Sequence, residues 1–475
     1  MEQHIPGIVL KDGLTQPVFD YKRCLFEKVY VETPVDTDGD GRLDLIAVYI
    51  RRPLETTQGM RVPAIYVANP YMLECNEDWY VPHDVDRDVS PYPQQHITES
   101  EITFDPSTVS FPQPRYPRAT VGYADTAPTE EIPLDCISDW YSYFNSRGYA
   151  SVFCGGLGTR GSQGFNCCGS PEETAAFKAV IDWLNGRCRA FTNLTDNIEI
   201  RADWCTGKVA MSGKSYLGTM CIAVASTGVE GLETIIPEAA ISNWYDYYRC
   251  NGLNLPAIGW QGDDLDILAK YCFSRAKDPE DYASVREAYA AWLEGIAADE
   301  DRDSGNYSRW WDMRNYLKAA DRFKASVFLV HGLADWNVKP THCVNLFAAM
   351  ESRGIPCKMM LHQGGHIYIH DLQGSRFNEM LHLWLDHWLY GIENGAAERI
   401  PNVLVQSNLD QDLWLASPSF PAVKGYTEPV LMPAQASGRL VDDLSATVYD
   451  RTRDNAAEWL AELVLSERHP HCLRY

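Results

Sequence analysis

Short apolar runs alternate with longer amphipathic segments along most of the chain. Runs rich in β-branched and aliphatic residues, such as KVYVET, RLDLIAVYIRRP and ASVFLVHG, have the length of strands buried in a sheet. Between such runs, segments such as SPEETAAFKAVIDWLNG repeat apolar residues at three- and four-residue intervals, which predicts helices. The alternation predicts an α/β protein with a mostly parallel sheet, in which KVYVET and RLDLIAVYIRRP form an antiparallel pair.

Two segments interrupt this alternation. Residues from about 72 to 136 are rich in Pro, Asp and Tyr without a sustained period, so we predict a long ordered loop over one face of the sheet. Residues 243–322 are dense in Trp and Tyr and mostly helical in pattern, which indicates an inserted helical cap. The predicted domains are a sheet domain in two parts, 1–242 and 323–397, the cap at 243–322, and a C-terminal β domain at 398–475.

Composition narrows the class of protein. The chain has 475 residues, of which 45% are hydrophobic, enough for a full core. Its net charge of -24 disfavours nucleic acid and anionic lipid, and it favours cationic ligands such as peptides with a free amino end. The 14 cysteines follow no metal or disulfide spacing. With no signal peptide and no apolar run of membrane length in the sequence, we expect a cytoplasmic protein.

The segment DTDGDGRLD resembles the opening of a calcium-binding loop. Asp36, Asp38, Asp40 and Gly41 fit its first positions, but the twelfth position, which should be a bidentate glutamate, is Ala47. We therefore interpret the segment as a tight Asp-Gly turn between two strands.

The segment HQGGHIYIH places three histidines, His362, His366 and His370, four residues apart, which is the spacing of metal ligands on a helix. Gly364 and Gly365 each cost a helix about 1 kcal/mol relative to alanine. We therefore expect no helix and no metal site at this segment.

The segment MSGKSYLGTM places Ser215 between an apolar strand pattern and a helical pattern. This is the strand-turn-helix context of a nucleophile elbow, in which small residues flank a strained serine. The match to G-x-S-x-G is imperfect, because the second glycine is Gly218 and Leu217 takes its expected place. A serine that only caps the following helix is the alternative, and the segment alone leaves both interpretations open.

Two further residues complete a candidate catalytic set. A serine hydroxyl becomes nucleophilic when a histidine accepts its proton, and the histidine needs a carboxylate to fix its tautomer. Asp335 follows the strand pattern ASVFLVHG, and His366 follows the next one, KMMLH. The order Ser, Asp, His, each at a strand end, is that of an α/β-hydrolase sheet. Singly, Asp335 could cap a helix and His366 could be a polar loop residue.

At these residues the chain resembles the Xaa-Pro dipeptidyl-peptidases, within the serine peptidases and acyl hydrolases that include cocaine esterase. The resemblance rests on GKSYLGT, HGLADWNVKP, HQGGHIY, VIDWLNGR and DTDGDGRLDL and covers residues from about 25 to 475. It implies an α/β-hydrolase fold in which Ser215 is the nucleophile, Asp335 the orienting acid and His366 the general base. It also implies an oxyanion hole formed by the hydroxyl of Tyr71, in VANPYM, and the backbone N–H of Tyr216.

The same resemblance implies a specificity and a binding pocket. The substrates would be peptides with a free N-terminus and proline at the second position, cleaved through an acyl-enzyme without metal or cofactor. Trp244, Tyr247 and Asn337 would line the slot for the proline ring. Asp263, rather than Asp264, would bind the α-ammonium group. The alternatives are that the aromatic residues are only cap core and that the aspartates form a solvated helix start.

The chain also departs from the family pattern. Longer family members carry an extra helical N-terminal domain, so an oligomer built through that domain is in doubt, and a homo-oligomer is left open. At the other end, the C-terminal β domain is expected to be shortened or truncated. A non-peptidase acyl hydrolase acting on esters or β-lactam amides is the alternative enzyme. A non-enzymatic binding protein would be expected to have lost one of the four catalytic residues, and all four are present.

Overall fold

A computed structural model gives the fold of the chain and describes residues 5–85, 97–130, 139–250, 252–255, 260–372 and 374–421. Its main feature, within these residues, is a 13-stranded sheet accompanied by two small two-stranded sheets. The strands are β1 Leu10–Lys11, β2 Leu14–Thr15, β3 Leu25–Glu32, β4 Leu45–Arg52, β5 Val62–Ala68, β6 Gly122–Ala124, β7 Ala150–Cys154, β8 Ala190–Phe191, β9 Ile198–Ile200, β10 Cys205–Lys214, β11 Leu232–Glu238, β12 Arg249–Cys250, β13 Leu253–Asn254, β14 Ser326–Gly332, β15 Cys357–His362, β16 Val403–Gln406 and β17 Trp414–Ser417.

The strand order of the large sheet is β17-β16-β15-β14-β11-β10-β5-β7-β4-β3-β8-β9-β6. From β16 to β7 all neighbouring strands pair in parallel. The pair β3 and β4 is antiparallel and continues the sheet beyond β7. The predicted α/β class and the predicted antiparallel pair are therefore confirmed.

Helices cover both faces of the sheet. They are α1 Asp139–Asn145, α2 Pro171–Leu184, α3 Tyr216–Ala225, α4 Trp244–Tyr248, α5 Leu265–Cys272, α6 Pro279–Asp299, α7 Arg309–Asp312, α8 Thr341–Ser352, α9 Phe377–Tyr390 and α10 Ala396–Arg399. Side chains of α2, α3 and α8 pack into one core cluster and those of α9 into another. Successive residues of β10 alternate between the two, with Met211 in the first and Ala210 in the second. This period of two explains why strands buried on both faces are apolar throughout.

The segment predicted as a cap leaves the sheet between β11 and β14, two neighbouring parallel strands. It contains α4 to α7 and the short hairpin of β12 and β13. A backbone bridge between Asn243 and Asn315 joins its two ends at the sheet. Since β11 and β14 end at the same edge of the sheet as β10, the insertion lies next to the turn that follows β10.

The described residues of the predicted C-terminal β domain, 398–421, extend the large sheet. Strand β16 pairs in parallel with β15, and β17 pairs antiparallel with β16. Residues 422–475 of that domain lie outside the described residues, as do parts of the predicted loop at 72–136. The division into a separate β domain remains a prediction.

Candidate active site

Ser215 lies at a strained turn between β10 and α3, at the position that the pattern predicted. Its backbone has φ 61° and ψ -127°. A non-glycine residue in such a conformation costs on the order of 1–3 kcal/mol, so its surroundings must hold it there. Its N–H donates to the carbonyl oxygen of Glu238 at 2.9 Å. Ser215 occupies the N-cap position of α3, but its side chain makes no capping hydrogen bond, which argues against a role as helix cap alone.

Two glycines make this turn sterically feasible. A side chain at Gly213 would overlap the side chain of Leu217 one turn into the helix. A side chain at Gly218 would come within 2.6 Å of the Gly213 carbonyl oxygen and 3.0 Å of the Glu238 carbonyl oxygen. Gly218 therefore provides the close helix-to-strand approach, one position later than the G-x-S-x-G pattern expects.

Asp335 and His366 form a hydrogen-bonded pair on the loops after β14 and β15. His366 Nδ1 lies 2.8 Å from Asp335 Oδ2, and the Asp335 side chain is fully buried. The other carboxylate oxygen, Oδ1, accepts the N–H groups of Asn337 at 2.9 Å and Val338 at 3.0 Å. Because Nδ1 donates to the carboxylate, Nε2 of His366 is the acceptor nitrogen. Asp335 does not cap α8, whose N-cap is Pro340.

Side-chain and backbone bonds join the loop of His366 to the strand ends beside Ser215. Lys214 Nζ donates to the His366 carbonyl oxygen at 3.3 Å. Glu238 Oε2 accepts the N–H of Ile369 at 2.9 Å. Nothing in the sequence signalled these contacts of Lys214 and Glu238, because both are ordinary polar residues at the ends of strands. Within the described residues the Ser215 hydroxyl makes no hydrogen bond, and in uncomplexed enzymes such catalytic bonds are often long.

Tyr71 and Tyr216, the predicted oxyanion residues, lie side by side. Their rings meet edge to face with centroids 5.8 Å apart. Burial raises the pKa of the Tyr71 hydroxyl well above its ordinary value, so the hydroxyl stays protonated and can donate. The Tyr216 N–H is the first of α3, where helical N–H groups have no partner within the helix. The Tyr216 N–H is thus next to Ser215 in the chain, and the Tyr71 ring packs against the Tyr216 ring.

The predicted slot residues are in contact with one another and with the loop of Asp335. The Tyr247 hydroxyl donates to Asn337 Oδ1 at 2.6 Å. The Trp244 ring lies 6.1 Å from that of Tyr247 and 5.1 Å from that of Tyr216. Trp244 is fully buried, as the core alternative also predicts. Trp244 therefore packs against Tyr247 and Tyr216, and the bond from Tyr247 to Asn337 connects the cap to the loop of Asp335.

The two neighbouring aspartates of the cap have different surroundings. Asp264 binds two guanidinium groups, with distances of 2.9 Å to Arg249 and 2.6 Å to Arg302. Asp263 accepts a bond from the Tyr248 hydroxyl at 3.3 Å, and the Tyr80 hydroxyl also interacts with its carboxylate. Its Oδ1 is buried and makes no hydrogen bond of normal geometry among the described residues. Burial and the like charge of Asp264 raise the pKa of the Asp263 carboxyl to about 7. Both side chains are buried, so the alternative of a solvated helix start is wrong.

Two groups of described side chains have atoms of metal-ligand type close together. His83, Asp266 and Glu300 place their ligand atoms within 4.8 Å of one another, and His83 Nε2 is hydrogen-bonded to Asp266 Oδ1 at 3.0 Å. The second group contains the three aspartates of the DTDGDG turn. Within it, Asp38 pairs with Arg275 at 2.7 Å, and Asp36 accepts the N–H groups of two turn glycines. These bonds stabilise the connection between β3, which ends at Glu32, and β4, which begins at Leu45. The connection is longer than the tight turn that the sequence predicted.

The parallel sheet, the strained turn of Ser215 and the loops of Asp335 and His366 at the sheet edge are the features of the α/β-hydrolase fold class. Within that class, the family model described as X-Pro dipeptidyl-peptidase (S15 family) matches residues 38–368. The chain belongs to this family, as the sequence motifs indicated. The matched span includes Ser215, Asp335 and His366. Within the described residues, none of the helices has both the length and the apolar composition needed to cross a membrane.

Curated relatives and solved structures extend this comparison. The chain is 44% identical over 405 residues to a Xaa-Pro dipeptidyl-peptidase of Pediococcus pentosaceus, covering 85% of this chain and 49% of the relative. It is 41% identical over 468 residues to that of Lacticaseibacillus paracasei, covering 98% of this chain and 58% of the relative. A solved CocE/NonD family hydrolase from Staphylococcus aureus gives a TM-score of 0.49 at 13% identity, over 86% of this chain and 63% of that structure. The chain spans about half the length of the curated relatives.

Proposed function

We propose that this chain is the catalytic unit of a serine peptidase that releases N-terminal Xaa-Pro dipeptides. Ser215 is the nucleophile, His366 the general base and Asp335 the orienting acid. The observation that carries the proposal is the 2.8 Å bond between His366 and Asp335 at the sheet edge where Ser215 forms its strained turn. Relatives 41–44% identical to the chain carry the name Xaa-Pro dipeptidyl-peptidase, which supports the assignment.

The reaction proceeds in two halves. His366 Nε2 accepts the Ser215 proton as the oxygen attacks the scissile carbonyl, and the Asp335 carboxylate stabilises the resulting imidazolium. The Tyr71 hydroxyl and the Tyr216 N–H donate to the oxyanion of the tetrahedral intermediate. His366 then protonates the departing amine, which leaves the dipeptide as an ester on Ser215. Water activated by the same histidine hydrolyses that ester and restores the enzyme.

Cleavage after the second residue requires that the substrate's amino end be held at a fixed distance from Ser215. Asp263 is suited to this role, because it has a buried oxygen that makes no hydrogen bond of normal geometry among the described residues while the adjacent Asp264 is already bound to two arginines. The ring of Tyr248, whose hydroxyl donates to Asp263, lies 4.6 Å from that of Tyr247. Tyr247 contacts Asn337 on the catalytic loop. The ammonium site and the proline slot are therefore contiguous.

A panel of p-nitroanilides tests the proposal. Ala-Pro-p-nitroanilide should be cleaved well, Ala-Ala-p-nitroanilide poorly, and N-acetyl-Ala-Pro-p-nitroanilide hardly at all, since an acetylated end leaves the Asp263 carboxylate buried and unpaired. The variant S215A, checked for folding by circular dichroism, should lose all turnover. Equal cleavage of the acetylated and free substrates would favour an acyl esterase instead. Turnover by S215A would reject Ser215 as the nucleophile. The cytoplasmic location and any homo-oligomer remain predictions.

A further inference from the structure

Glu173 is a buried carboxylate directly behind the proposed oxyanion hole. It is 2% exposed and lies in the first turn of α2. In the sequence it reads only as the second half of a capping box with Ser170. The Glu173 N–H does donate to Ser170 Oγ at 3.3 Å. The carboxylate, however, binds elsewhere: it accepts the Tyr216 hydroxyl at 2.8 Å and the N–H of Gly169.

The first of these bonds acts on the oxyanion pair. Tyr216 is the residue after the nucleophile, and its ring packs edge to face against Tyr71 at 5.8 Å. The Tyr216 hydroxyl is buried among apolar side chains, and both oxygens of Glu173 lie within 2.9 Å of it. A buried hydroxyl without a partner costs about 1–3 kcal/mol, so the carboxylate strongly favours one orientation of the ring. In that orientation the Tyr216 ring forms part of the surface against which Tyr71 packs.

The second bond acts on the wall of the pocket. The carbonyl oxygen of Gly169 accepts the Tyr316 hydroxyl at 2.8 Å, and that hydroxyl in turn accepts the indole N–H of Trp244 at 3.0 Å. A side chain at position 169 would overlap the Trp244 indole. The loop that Glu173 anchors through Gly169 is therefore in direct contact with Trp244, which packs against Tyr216 from the other side.

Among the residues that the structure describes, Glu173 forms no salt bridge. The nearby guanidinium of Arg314 donates to the carbonyl oxygens of Cys168 at 2.9 Å, Cys167 at 3.0 Å and Trp310 at 2.9 Å. Burial raises the pKa of the Glu173 carboxyl to about 7. An acidic side chain at a fully buried position is costly, and both groups that it meets are donors. The Glu173 carboxylate therefore serves as the acceptor for one N–H group, that of Gly169, and one O–H group, that of Tyr216.

We propose that Glu173 is a positioning residue of the active site, which fixes the Tyr216 and Trp244 side chains and thereby the oxyanion donors. This inference rests on the oxyanion role of Tyr71 and Tyr216 in the proposed function. E173A removes the acceptor and should lower kcat by about 10- to 100-fold with a smaller change in KM, because a displaced oxyanion donor acts in the transition state. E173Q retains one acceptor oxygen and should recover most of the lost rate. The neighbouring variant E172Q, on the same helical turn, should leave kcat unchanged.

A double-mutant cycle separates positioning from a merely structural role. Y216F removes the hydroxyl that Glu173 binds and leaves the backbone N–H in place, so it should slow the reaction to a similar extent as E173A. If the two residues act through one bond, the double variant should be no slower than the slower single variant. Rates that multiply in the double variant, or wild-type kcat in E173A, would overturn the inference. If E173A does not fold, Y216F and E173Q are measured instead. A wild-type kcat in Y216F would then overturn the inference.

The rate of Ser215 labelling by a fluorophosphonate provides a readout independent of peptide specificity. A wild-type protein that does not label would reject the proposed function, and this inference with it. A wild-type protein that labels, with E173A labelling at the same rate, would reject only the inference. Slower labelling of E173A and Y216F, by the same factor as their loss of kcat, is the expected result.

Discussion

Buried carboxylates in the loop of Asp335 and in the acidic cluster of the cap differ in how completely their oxygens are hydrogen-bonded. Asp335 is fully buried, and its oxygens accept bonds from His366, Asn337 and Val338. The cap cluster consists of Asp263, Asp264, Asp266 and Glu300. In it, Asp264 binds both Arg249 and Arg302, while Asp263 and Glu300 each have a buried oxygen that makes no hydrogen bond of normal geometry among the described residues.

This difference shows which buried carboxylates have all their partners within the protein and which have an oxygen left over for a ligand. Both oxygens of Asp335 accept hydrogen bonds, so the proposed acid and base are already paired in this structure. In the cap, burial and the like charges of Asp264 and Asp266 raise the pKa of the Glu300 carboxyl well above its ordinary value. Burial and the charge of Asp264 likewise raise the pKa of the Asp263 carboxyl. A cation that binds beside a buried carboxyl of raised pKa favours its ionised form, and in the proposed function the ammonium group of a peptide would be that cation.

Loss of the Asp335 charge should have the largest effect. D335N keeps the size of the side chain but presents an amide to His366, which favours the wrong imidazole tautomer. We expect kcat to fall by about ten-thousandfold at pH 8, with little change in melting temperature. Steady-state rates with Ala-Pro-p-nitroanilide measure this. A kcat within tenfold of wild type would show that another carboxylate orients His366.

Removal of the Asp264 charge should damage folding rather than chemistry. D264N leaves Arg249 and Arg302 without their anion, and the loss of one partner of a buried ion pair typically costs about 3–5 kcal/mol in unfolding free energy. Urea denaturation measures the change. The matched control is D263N, which removes an anion without a cationic partner and should not lower stability. Equal destabilisation by both variants would remove the distinction drawn between the two aspartates.

Loss of the Tyr71 hydroxyl should lower kcat and leave the stability of the fold unchanged. Y71F deletes one oxyanion donor, so kcat should fall by about a hundredfold or more while KM changes little. Y271F is the matched control, because the Tyr271 ring lies 6.1 Å from that of Tyr71 and has no proposed catalytic role. An unchanged kcat in Y71F would mean that a different group stabilises the oxyanion.

The pH dependence of substrate binding should report Asp263. Its raised pKa, about 7, means that the carboxyl is protonated below that pH and cannot pair with an ammonium group. KM for Ala-Pro-p-nitroanilide should therefore rise as pH falls through 7, and D263N should show a higher, flatter KM. Because ionisation of a carboxyl with a raised folded-state pKa disfavours folding, D263N should also melt no lower than wild type at pH 8. A KM profile identical in both proteins would reject Asp263 as the ammonium site.

Local pattern alone predicted much of the catalytic framework. The strand and helix on either side of Ser215, and the strand-end positions of Asp335 and His366, follow from periodicities that depend only on neighbouring residues. Parallel strands end at a common edge, so their order along the chain already indicated that these residues would meet. Tyr71 and the slot residues came from the family motifs, because nothing in the local sequence distinguishes Tyr71, Trp244 and Tyr247 from core aromatics.

The tertiary structure alone decided the roles of the buried carboxylates. Whether Asp263 or Asp264 is paired depends on Arg249 and Arg302, which reach the same point from different segments of the cap. The local sequence indicates only a capping role for Glu173 in α2, yet its carboxylate binds Tyr216, which begins α3 after β10. Periodicity fixes which face of an element is buried, whereas the partner of a buried charge is fixed by packing between segments distant in the chain. The sequence therefore determined the framework and the turn of Ser215, and packing between segments of the cap determined which of its carboxylates is left without an arginine partner.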